Sequence, residues 1–125
     1  MKKATDYLAE ANAVVPHMAP EDGIAKHAEG NALFIDVRDG TDIAQTGTIA
    51  GAMRIARGFI EFAADDTHPL HKPELTRDKE IILVCGAGGM AALTGKTLKE
   101  MGFENVSNVG GFKDWKMAGG PTEGG

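Results

Sequence analysis

Apolar residues in this chain fall in short bursts, and the spacing inside each burst changes along the sequence. Ile81-Ile82-Leu83-Val84 are consecutive and lie between Glu80 and Cys85. An unbroken β-rich run of this kind predicts a strand buried on both faces. Ala32-Leu33-Phe34-Ile35-Asp36-Val37 has the same character. Residues 52–55 and 106–109 predict two shorter strands, and Val14-Val15 with His17-Met18 predicts a short edge strand. Between these runs the spacing turns helical. Residues 4–14 place Leu8 and Ala11 on one face and end at Pro16. A second helix opens at Pro20 with Glu21 and Asp22 in its first turn and closes at Gly30-Asn31. Residues 39–45 predict a short capped helix, and 58–64 another. Residues 90–101 put Leu93, Thr97, Leu98 and Met101 on one face, with Gly102 at the C-cap. A last helix spans 112–118 and carries Trp115. Residues 65–79, with Pro69 and Pro73, predict a surface loop.

Strands that alternate with helices predict an α/β domain with a parallel sheet and helices on both faces. Ligands of such sheets bind beyond the carboxyl ends of the strands. Cys85 therefore stands at the functional edge by position alone.

Length and composition narrow the picture. The 125 residues suit one domain, read as an N-terminal helical extension (1–14), the domain proper (15–119) and a flexible tail (120–125). The formal net charge is −5, and no Lys/Arg cluster stands out, so no nucleic-acid partner is expected. Met1-Lys2-Lys3 is followed by Asp6, Glu10 and Asn12 rather than an apolar segment, so no signal peptide is read. No run approaches the ~18 apolar residues of a membrane span, and a cytoplasmic protein is expected. The single cysteine excludes an internal disulfide and a Cys-based zinc site within one chain. His68 and His71, with Asp65 and Asp66 nearby, are weak metal candidates, because Pro69 and the loop do not fix their geometry.

Glycine occurs 17 times, about twice the usual share, and three glycines follow the cysteine closely. Cys85-Gly86-Ala87-Gly88-Gly89-Met90-Ala91 joins a strand to a helix. Such a turn can aim successive N–H groups inward as an anion nest, and the helix adds its N-terminal amides and the positive end of its dipole. A cysteine at the head of that cradle has its nucleophilic thiolate form favoured. The spacing alone leaves this reading open beside a plainer one, a small buried hydrophobe. No GK[ST] follows the glycines and no GxGxxG is present, so nucleotide-phosphate loops are excluded.

Six segments in order resemble the rhodanese-like domain family, from about residue 15 to 123. Phe34-Ile35-Asp36-Val37-Arg38 resembles the family's DVR strand, and Gly47-Thr48-Ile49-Ala50-Gly51-Ala52 its GHIPGA loop. Ile55-Ala56-Arg57-Gly58-Phe59-Ile60-Glu61-Phe62 resembles an IPRGxLEF segment. Ile82-Leu83-Val84-Cys85 leads the active loop. Residues 98–106 resemble LKxMGFxNV, and Val109-Gly110-Gly111-Phe112-Lys113-Asp114-Trp115 resembles LxGGFxAW. The resemblance implies a doubly wound, five-stranded parallel sheet and a sulfurtransferase. In this scheme Cys85 takes a sulfane sulfur from a donor such as thiosulfate or a persulfide, becomes a persulfide, and passes the sulfur to cyanide or a thiol. The intermediate is covalent, so no cofactor is implied. The amides of Gly86, Ala87, Gly88, Gly89, Met90 and Ala91 would stabilise the persulfide anion.

Cys85 to Met90 is the six-residue loop length associated with sulfur transfer. The seven-residue, Arg-ended loop of the family's phosphatase branch is absent. Many relatives carry Arg where this chain has Met90, and Ser or Thr where it has Ala91. The loop thus has no charged side chain. Arg57, with Glu61 one helical turn on, is the candidate for substrate binding from outside it. Asp36 and Arg38 are read as structural. A non-catalytic interaction module of the same fold and a sulfur carrier serving a partner protein are the alternatives.

Overall fold

The computed structural model describes residues 1–124. Four strands form one parallel sheet: β1 (Ala32–Asp36), β3 (Met53–Arg54), β4 (Glu80–Cys85) and β5 (Val106–Gly111). Their order is β3-β1-β4-β5. Beyond β5 the expected edge strand is reduced to a single parallel bridge between His17 and Asn108. The fifth position of the sheet is thus marked by one residue pair. The reason is local: Val14 completes helix α1 (Ala4–Val14), and Pro16 supplies no N–H for a ladder.

Alternation within the buried strands builds two cores. Ile35, Ile81 and Leu83 point to one face with Ile60, Leu98 and Phe103. Phe34, Ile82 and Val84 point to the other with Phe112 and Trp115. Helices α4 (Ile60–Ala64) and α5 (Gly89–Glu100) belong to the first face, and α2 (Pro20–Glu29) and α6 (Phe112–Met117) to the second. This is the expected doubly wound arrangement, with α3 (Gly40–Thr46) following β1. Gly30 ends α2 in the left-handed region at φ 78°, as its sequence position requires. Residues 65–79 form the expected loop, although Leu75 within it is buried in the first core.

Helix α1 packs along α5. A Cβ at Gly95 would lie 2.9 Å from the Val15 side chain, so α5 can meet this segment only through glycine. A second, two-stranded antiparallel sheet pairs β2 (Thr48–Ile49) with β6 (Thr122–Glu123). Thr122 and Glu123 were expected in a loose tail; they are held by this ladder, by the Glu123 carboxylate accepting the Gly51 N–H, and by Trp115 Nε1 donating to the Pro121 carbonyl. Gly125, the last residue of that tail, lies outside the described residues. No helix among the described residues is long and apolar enough to cross a membrane.

Candidate active site

Cys85 ends β4 at the carboxyl edge of the sheet, and its side chain is buried. Its Sγ accepts two backbone hydrogen bonds, from the N–H of Gly88 at 3.0 Å and of Ala91 at 3.3 Å. The loop therefore curls around the sulfur, and of the N–H groups of residues 86–91 those of Gly88 and Ala91 bond to it. Gly88 makes the curl possible: it sits at φ +99°, where side-chain-bearing residues are strained, and is the N-cap of the twelve-residue α5. Gly86 and Ala87 are solvent-exposed at the outer rim, and Met90 is partly exposed. Such an array stabilises negative charge on the sulfur through amides and helix dipole, without a charged side chain.

The neighbouring strand shapes the other wall. The β4–β5 register shifts by one residue after Leu83, so Val84 and Cys85 stand beside Gly110 and Gly111. A Cβ at Gly111 would meet the Gly86 carbonyl at 2.5 Å. The glycine pair before α6 is thus what lets the cysteine loop lie against β5.

Asn108 was not singled out in the sequence, and it ties this region together. It is fully buried. Its Nδ2 donates to the Gly88 carbonyl at 2.9 Å, and its Oδ1 accepts the Gly110 N–H at 2.8 Å. Its backbone N–H donates to Pro16, and its carbonyl accepts from Met18. One side chain thus fastens the loop to the bulge, while its backbone fastens both to the His17 crossing. The sequence signal available was a polar residue inside an apolar strand, which demands buried partners.

Asp36 and Arg38 form a buried pair with Nη2–Oδ2 at 2.7 Å. Asp36 also accepts the Arg38 N–H and the Thr48 hydroxyl. Arg38 donates to the Gly47 carbonyl and to Thr46, and its guanidinium stacks 4.8 Å from the Phe112 ring centroid. Both residues join the end of β1 to the 46–48 segment and to α6. Thr48, in the place where the GHIPGA pattern has His, is an Asp36 ligand here.

Arg57 is directed toward α5. It donates to Glu61 at 3.1 Å and to the Thr97 hydroxyl at 3.1 Å. Together with Gly89 and Met90 it lines a cavity beside the loop, while Glu61 is not among that cavity's walls. His68 and His71 are occupied within their own loop: His68 Nδ1 accepts the Leu70 N–H, and His71 Nε2 meets the Leu75 carbonyl. Thr67 donates its hydroxyl and amide to Asp65, which holds that exposed carboxyl below the usual range.

A family model for the rhodanese-like domain matches residues 19–118. The chain belongs to the rhodanese-like domain family. Within it, the Bacillus subtilis protein YtwF, provisionally named a sulfurtransferase, is 32% identical over 89 residues, covering 71% of this chain and 78% of its own. The Bacillus subtilis protein YrkF, provisionally named a sulfur carrier, is 26% identical over 92% of this chain, which spans only 58% of that relative's length. Among solved structures, a Rhodopseudomonas palustris protein of unknown function, described as a possible tyrosine phosphatase, superposes with a TM-score of 0.93 at 35% identity and covers 98% of this chain and 96% of its own. The polysulfide-sulfur transferase homodimer from Wolinella succinogenes gives a TM-score of 0.77 at 26% identity, over 97% of this chain and 87% of its own.

Proposed function

We propose that this rhodanese-like domain transfers sulfane sulfur through a persulfide on Cys85. One observation carries the reading: Sγ of the only cysteine stands at the head of a side-chain-neutral cradle and accepts hydrogen bonds from Gly88 and Ala91. The names of YtwF and of the Wolinella protein support sulfur transfer as the general chemistry.

In the first half-reaction the Cys85 thiolate attacks the outer sulfur of thiosulfate or of a persulfide. The donor's S–S bond breaks, and sulfite or a thiolate leaves with the bonding pair. The persulfide is one atom longer than the thiolate and carries its charge on the terminal sulfur, which under this reading the amides of residues 86–91 would solvate. In the second half-reaction cyanide or a thiolate attacks that terminal sulfur and Cys85 returns as thiolate. A phosphatase reading has the description of the Rhodopseudomonas structure in its favour. Against it, residues 86–91 offer no guanidinium for a phosphoryl group. YrkF favours a second reading within the same chemistry, in which the persulfide goes to a partner protein.

Intact mass spectrometry after incubation with thiosulfate or a small persulfide tests the proposal. The expected outcome is a gain of one sulfur atom that cyanide removes and that Cys85→Ser abolishes. No adduct with any sulfane donor, or an adduct that survives Cys85→Ser, overturns it. Stable loading with slow discharge to cyanide would select the carrier reading, and hydrolysis of an aryl phosphate that depends on Cys85 would select the phosphatase.

A further inference from the structure

A cavity of about 550 Å³ opens between α1 and α5 at the edge of the cysteine loop. Pockets of roughly 300–1,000 Å³ hold ligands of drug size, and thiosulfate or cyanide would leave most of this one empty. Its walls have a defined chemistry. Leu8, Met90 and Leu93 give an apolar floor, Tyr7 adds an aromatic ring, and Arg57 and Lys96 bring two cations. No carboxylate is among the lining residues; the acidic partners of the two cations, Glu61 and Glu100, are not part of the wall. Cys85 is buried and is not among the lining residues; the cavity reaches the loop at Gly89 and Met90, the two residues between Gly88 and Ala91, whose N–H groups bond to Cys85 Sγ. The outer wall is contributed by α1, which lies before the family-matched residues 19–118.

We infer that this cavity seats the organic part of a low-molecular-weight thiol, or of its persulfide, with an extended body and a free carboxylate, and that Tyr7, Leu8 and Lys96 determine this preference. The inference rests on the sulfur-transfer reading of Cys85. The body lies along Leu8, Met90 and Leu93, the carboxylate meets Lys96 or Arg57, and the sulfur end points to the loop. As donor, R–S–SH is attacked by the Cys85 thiolate at its outer sulfur; the S–S bond breaks, Cys85 becomes a persulfide, and R–S⁻ leaves into the same cavity. As acceptor, R–S⁻ reverses the step. No oxidant or reductant is required. Met90 and the α1 residues thus stand where an acceptor larger than cyanide is recognised, and the absence of charge in the loop is matched by charge in the adjacent wall.

The test uses S-methylglutathione, whose sulfur is blocked, so binding is read without any sulfur transfer. Saturable amide shifts at residues 7, 8, 90, 93 and 96 of the full chain are expected by NMR titration. Lys96→Met keeps the aliphatic stem and should weaken binding about tenfold, the scale of a lost charge-assisted hydrogen bond. The diethyl ester of the same ligand should bind more weakly by a similar factor to the unsubstituted protein, which checks the carboxylate with no variant at all. S-methylcysteine, too short to span the cavity, should bind more weakly than either. No saturable shift, shifts confined elsewhere, or equal affinity for acid and ester overturns the inference. Binding as described without Cys85 loading would sink the sulfur-transfer reading and leave the cavity assignment standing. Loading without binding would do the reverse.

Discussion

At the scale of single residues, Asn108 shows how a buried polar group organises a loop from the neighbouring strand. Its Nδ2 bond to the Gly88 carbonyl is the only side-chain hydrogen bond from β5 to the cradle among the described residues, and its Oδ1 holds the Gly110 N–H of β5 itself. In Asn108→Ala the Gly88 carbonyl keeps the Ala92 N–H as a partner, but the Gly110 N–H loses its acceptor. A buried group left unsatisfied costs about 1–3 kcal/mol. We expect chemical denaturation to show a loss of that size. Alkylation of Cys85 by iodoacetamide should change rate as well, because Gly88 no longer has its tether. A variant with native stability and native alkylation rate would remove Asn108 from the account. This residue was not legible in the sequence. Polar character inside a strand signals a need for partners, but the partners are twenty residues back in Gly88 and two residues on in Gly110. Cys85, in contrast, was legible from its place after an apolar run and before glycines, since strand end, turn and helix start are all local signals.

At the scale of elements, the long runs were read correctly because each carries its own pattern. The helix after the loop and strands β1 and β4 fall within a residue or two of their expected limits. The two-residue strands β2 and β6 carry no periodicity, and their pairing joins residues more than seventy apart, which no local spacing encodes. The edge strand failed to lengthen because α1 and Pro16 occupy its residues. The α1–α5 contact gives a direct test. Gly95→Ala gains roughly 0.5–1 kcal/mol of helix propensity. It also drives a Cβ to 2.9 Å from Val15, and overpacking of that kind costs about 1–3 kcal/mol. The second effect should win, so thermal unfolding is expected at lower temperature. Val15→Ala in the same chain should recover part of the loss, a coupling that a double-mutant cycle reads directly. Additive effects would show that the helices do not meet at this point.

At the scale of the whole molecule, the Asp36–Arg38 pair links parts that the chain order separates. It ties the end of β1 to Gly47 and Thr48, and through them to β6 and the carboxy-terminal residues. The two partners are almost wholly inaccessible, so Asp36→Asn leaves a buried guanidinium without its counter-charge. Breaking one side of such a pair costs about 3–5 kcal/mol. Against a domain stability of ~5–15 kcal/mol this is a large share, and urea unfolding should show it as a lower midpoint with an unchanged slope. The notion of these residues as structural followed from their place at the strand end; their reach to β6 did not. The lone cysteine has a consequence of another kind. Thiol–disulfide chemistry discharges fastest when a second thiol stands nearby, and these 125 residues contain none. Under the proposed chemistry a sulfur on Cys85 cannot be released from within. Its residence time is then governed by encounters with outside acceptors, and scarcity of acceptors turns the domain into a record of earlier exposure to donors.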